Sequence, residues 1–93
     1  MNNEFNVKIK VESINKPCRA GVKVGDTYYI KNNNGALIMD SFDGCCPELF
    51  NTIFPNAMTL AHGGKLPWED EKGRARSVCP DSVCCVKVVL SRE

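Results

Sequence analysis

Residues 5–12 read Phe-Asn-Val-Lys-Ile-Lys-Val-Glu, and their alternation decides the fold class. Phe5, Val7, Ile9 and Val11 fall on one side of an extended chain. Asn6, Lys8, Lys10 and Glu12 fall on the other. A two-residue period with one apolar side is the mark of a strand that covers a core with one face and meets water with the other.

Residues 15–22 form a loop that carries Cys18, and Gly25-Asp26 marks a tight turn. Thr27–Lys31 is rich in β-formers. Asn34-Gly35 follows, between Tyr28–Lys31 and Ala36–Met39. Two β-rich runs joined through Asn-Gly predict a hairpin, because that pair accepts the positive φ of a tight primed turn. The expected register sets Tyr and Ile residues against Leu37 and Met39.

The period then changes. Leu49, Phe50, Ile53, Phe54, Ala57, Met58 and Ala61 recur at helical spacing. Pro47 suits the first helical position, where its missing N–H costs nothing. Pro55 interrupts the pattern and predicts either a kinked helix or two short ones. Gly63-Gly64 marks the end. Residues 65–82 show no periodicity and read as a long loop. Trp68 is expected to anchor that loop in the core, and Glu69 and Asp70 are expected to be solvated. Val83–Leu90 reads as the last strand, with Cys84 facing the core and Cys85 facing away.

These elements predict one α+β domain over residues 1–93. It would be a mostly antiparallel sheet of about four strands with one kinked or broken helix packed on a face. The first and last strands are expected to be neighbours.

Composition narrows the function classes. Twelve basic and eleven acidic side chains are mixed along 93 residues, for a net charge of +1. Without a basic stripe, the chain is not expected to bind nucleic acid. No apolar run approaches the roughly 20 residues of a membrane span. The first twelve residues lack the layout of a secretory signal, so a cytoplasmic location is expected. In a reducing compartment six cysteines are not read as three disulfides. They are metal ligands, redox-active thiols, or small buried hydrophobes.

The cysteines are not equivalent. Cys45 and Cys46 precede the helix, and Cys18 and Cys79 lie in loops. At a helix N-terminus the unpaired N–H groups and the positive end of the macrodipole favour a thiolate, which gives Cys46 a physical reason to ionise. The alternative is a small residue sealed at the capping position. No Cys-x-x-Cys pair is present, so a metal site rests on the number and placement of the thiols. His62, the one histidine, is either a further ligand or a helix-end cap. Asp81 is either an oxygen ligand or a turn former.

Four segments, taken together, carry a resemblance. They are Cys18-x-x-Gly21-x-x-x-Gly25-Asp26, Cys46-Pro47, Gly63-Gly64-x-Leu66-Pro67-Trp68 and Cys79-Pro80-Asp81. Their order resembles that in a family of small uncharacterised prokaryotic proteins about the size of this chain. The resemblance spans nearly the whole sequence and implies no substrate and no cofactor. It singles out Cys18, Cys46 and Cys79, with Trp68 and Asp81.

Three readings of function follow. One is a metal-binding protein, with zinc or an iron–sulfur group held by Cys18, Cys46 and Cys79, and Cys45, Asp81 or water as a fourth ligand. The second is a non-catalytic binding or interaction module with structural cysteines. It would use a pocket around Trp68 or a homo-oligomer formed through the sheet edge. The third is a thiol-dependent redox protein with Cys46 as nucleophile and Cys45 or Cys79 resolving.

Overall fold

The computed structural model describes residues 4–17, 21–42, 44–80 and 84–93. Its architecture is α+β. Strands β1 (Val7–Ser13), β2 (Thr27–Asn33) and β3 (Ala36–Asp40) precede helix α1 (Pro47–Ala61). Strands β4 (Ala75–Val78) and β5 (Lys87–Arg92) follow it. The five strands form one antiparallel sheet in the order β3-β2-β1-β5-β4. The first and last strands are neighbours, as expected.

The opening alternation holds. Val7, Ile9 and Val11 are fully buried, and with Tyr28, Ile30, Val88 and Leu90 they form the sheet's apolar face. Helix α1 covers that face with Leu49, Ile53, Ala57, Leu60 and Ala61. Lys8, Lys10, Glu12, Lys31 and Lys87 alternate to the open face.

The Asn34-Gly35 hairpin forms as the sequence predicts. Both residues take positive φ, 53° and 95°, and Asn33 faces Ala36 across the turn. The register is only partly the expected one. Ile30 faces Met39, but Leu37 faces Asn32, and Tyr29 faces Asp40. The two-residue turn fixes this pairing, and the β2 pairing extends two residues further than its apolar run suggests.

Helix α1 is continuous, not broken. Pro55 sits on its exposed side. There the carbonyl of Asn51, which Pro55 cannot serve, faces water at no great cost. The end is a Schellman motif: Gly63 N–H donates to the Leu60 carbonyl and Gly64 N–H to the Thr59 carbonyl, at 3.2 and 2.9 Å. Among the described residues no helix is long and apolar enough to cross a membrane.

Two expectations about the C-terminal third need correction. Ala75–Val78, read as part of a long loop, forms the edge strand β4, so the described residues make five strands, close to the expected four or so. The buried positions of β4 are Ala75 and Ser77 while Val78 is exposed, so no apolar alternation marks it in the sequence. The last strand also starts late, at Lys87, because Cys85 has a φ of +50°, in the left-handed region outside the β range. Cys84 and Val86 still pack inward.

Candidate functional site

The topology brings one end of every strand and the start of the helix together. β1, β3 and β4 finish at this end, while β2, β5 and α1 begin there. Cys45, Cys46, Cys79 and Cys84 therefore share one end of the fold. Sharing an end is not ligation: among the described residues no three His, Cys, Asp or Glu side chains are grouped to hold a metal ion. Cys18 and Asp81 lie outside the described residues.

Each thiol has its own setting. Cys46 is the N-cap residue of α1, as its place before Pro47 implies, and makes no side-chain capping bond. Cys79 is buried, and its N–H donates to the Val86 carbonyl at 2.8 Å. Cys84 is buried, with Sγ 3.6 Å from the Pro17 carbonyl. Cys45 is half-buried. Burial pushes its thiol pKa up, the adjacent Cys46 adds to this, and a hydrogen bond with Tyr28 opposes it. A thiol held protonated is a poor nucleophile, which weakens the case for Cys45 as a resolving group.

His62 cannot join Cys46. It follows the last residue of a 15-residue helix that Cys46 precedes. At 1.5 Å per residue the two lie about 24 Å apart. His62 is an exposed C-cap residue.

Trp68 is not a core plug. It is 51% exposed, and the neighbouring Leu66 is buried instead. Its indole Nε1–H donates to the Arg76 carbonyl at 3.1 Å. That carbonyl belongs to edge strand β4, so Trp68 closes part of a sheet edge. Glu69 is not solvated either. Arg92 grips it with Nη1 to Oε1 at 2.9 Å and Nη2 to Oε2 at 3.1 Å. Only 9% of the Glu69 side chain and 19% of the Arg92 side chain are exposed.

The feature that the sequence did not disclose is an apolar cleft of about 270 Å³. It is lined by Met39 of β3, Phe42 and Cys45 of the connecting loop, and Pro47 and Phe50 of α1. A row of four rings backs it. Tyr28 stacks on Phe42 at 5.2 Å, Phe42 meets Phe50 edge-on at 5.2 Å, and Phe50 lies 5.3 Å from Phe54. Each such ring pair stabilises the wall by about 0.5–1.5 kcal/mol beyond its area burial. The spacing of Phe50 and Phe54 gave them a helical face, but Phe42 sits between elements and carries no period. Its partners emerge only when β2 and α1 meet.

The cleft opens beside the outer edge of the sheet. Among the described residues β3 has a neighbour, β2, on one side only. Ile38 and Met39 are exposed by 50% and 37%. Comparison with known proteins finds no family that the chain matches, and no curated protein or solved structure similar to it.

Proposed function

We propose that the chain is a non-catalytic interaction module that takes an extended polypeptide segment along β3 and seats an apolar side chain of it in the adjoining cleft. The observation that carries this reading is the position of the cleft: its lining includes Met39, a residue of an edge strand with one neighbour among the described residues. An added strand gains affinity from main-chain hydrogen bonds and specificity from a pocket beside them. At about 270 Å³ the cleft falls just below the range of small-molecule sites, which suits one or two side chains. In this reading the buried thiols of Cys79 and Cys84 pack one end of the core.

Selection from a displayed library of extended ten-residue peptides tests the reading. The expected outcome is a set of binders with an apolar residue at one fixed position, weakened at least tenfold by Met39→Pro. Proline there removes an edge N–H and a wall of the cleft together. Binders indifferent to Met39→Pro, or no binders above background, would overturn it.

A further inference from the structure

We infer that the segment that pairs with β3 is the β3 of a second copy of this chain, joined antiparallel about a two-fold axis at Ile38. The inference rests on the strand-addition reading above and names its partner. Asn33 and Ala36 close a two-residue turn, so they exchange hydrogen bonds as a narrow pair. Bonded and non-bonded pairs then alternate, and Asn32 opposite Leu37 is non-bonded. Asn32 confirms the phase, since its N–H points the other way, to Asn6 Oδ1 at 2.8 Å. The N–H and C=O groups of Leu37 and Met39 therefore point out of the sheet.

A two-fold axis perpendicular to the sheet keeps each side chain on its own face. It can therefore pass only through a residue, not between two. Centred on Ile38, it sets Leu37 opposite the other copy's Met39, and Met39 opposite the other copy's Leu37. Both pairs are of the bonded kind, so four hydrogen bonds form and every outward group of the two residues is used. Centred on Met39 instead, it would bring in Ser41, whose φ of +65° ends the strand. Centred on Leu37, it would run Met39 against Gly35 of the turn.

The side chains agree with this register. On the helix face each Leu37 comes to lie beside the other copy's Met39, at the mouth of the aromatic cleft. On the open face the two Ile38 side chains meet as a close, non-bonded pair. Asp40, the one charged residue of β3, falls opposite Ala36, so no like charges meet.

The opposite edge supplies the contrast. β4 is four residues long, has Trp68 bonded to its Arg76 carbonyl, and presents the Arg76 side chain. Short length, charge and a covering side chain are how a sheet edge avoids pairing. β3 carries no lysine, proline or bulge, and displays Ile38 and Met39.

Light scattering on the intact chain at about 100 µM, where an association of micromolar strength is populated, tests this. The expected mass is twice 10.3 kDa, falling to a monomer in Ile38→Lys with the far-ultraviolet circular dichroism spectrum unchanged. Ile38→Cys is expected to give a covalent dimer through the two introduced thiols on mild oxidation, because non-bonded antiparallel pairs bring Cα atoms to about 4.5 Å. Asp40→Cys is expected to give none. A wild-type monomer, or a dimer that survives Ile38→Lys, would overturn the inference. If the monomer still takes peptides in a Met39-dependent way, the interaction reading stands and only the partner changes.

Discussion

The side-chain amide of Asn32 donates to the carbonyl of Ala61 at 2.8 Å, which ties the end of β2 to the last turn of α1. That carbonyl also accepts the Phe5 N–H at 2.8 Å. The other end of the same amide accepts the Gly35 N–H at 2.7 Å. One side chain thus holds hairpin, helix terminus and first strand in a fixed relation. The last helical turn has no basic residue to complement its carbonyls, so Asn32 does that work from outside the helix. Asn32→Ala is expected to lower stability by about 1–2 kcal/mol, the net worth of two partly buried hydrogen bonds. Urea denaturation followed by circular dichroism measures it, and a loss below about 0.3 kcal/mol would show that water replaces the amide.

The Gly35 φ of 95° is the condition for the hairpin that presents β3. A Cβ there meets Glu4 Oε1 at 3.1 Å in addition to the backbone strain. Gly35→Ala is expected to cost about 1–2 kcal/mol. Thermal melts of this variant beside Asn34→Gly, which keeps the turn and relieves Asn34 at φ 53°, should move in opposite directions.

Glu69 and Arg92 join residues 64–69 to β5, because Arg92 Nη2 also donates to the Gly64 carbonyl at 2.5 Å. Removing one partner leaves the other charge in a largely covered place. Glu69→Gln is expected to destabilise the fold by about 2 kcal/mol. Arg92→Met with Glu69→Leu should recover much of that loss, since matched apolar side chains leave no orphaned charge. Chemical denaturation of the single and double variants separates the two.

Acid should weaken the fold through the same region. The Arg92 guanidinium holds the Glu69 carboxyl below its ordinary 4.5. The backbone N–H groups of Arg74 and Lys72, with the Arg74 side chain, hold Asp70 at about 2 against an ordinary 3.8. Both groups bind protons more readily in the unfolded chain. Their contribution is therefore complete above about pH 4.5 and is lost as pH falls toward 2. The melting temperature should fall across that window, and less steeply in Asp70→Asn. Equal slopes in the two proteins would remove Asp70 from the account.

Chelation separates the interaction reading from the metal reading. With Cys79 and Cys84 as packing residues, dialysis against a strong chelator should leave the melting temperature within about 2 °C of the untreated protein. A larger fall, reversed by zinc and absent in Cys46→Ser, would restore a site made by Cys18, Cys46 and Cys79.

Where period and turn chemistry are local, the sequence determined the outcome. The alternation of Val7, Ile9 and Val11 set the buried face of β1. Asn34-Gly35 set the hairpin, because few other pairs accept two successive positive φ values. Pro47 and Gly63-Gly64 set the ends of α1, which makes Cys46 its N-cap. Tertiary structure alone decided what depends on partners distant in the chain. Arg92 turns Glu69 from a loop charge into half of a covered pair. The burial of Leu66 leaves Trp68 free to bond the Arg76 carbonyl at the β4 edge. Phe42 gains Tyr28 and Phe50 only when β2 and α1 meet, so the cleft is written in no single segment. The cysteines divide in the same way: local sequence placed Cys46 before the helix, and the packing of β4 and β5 buried Cys79 and Cys84.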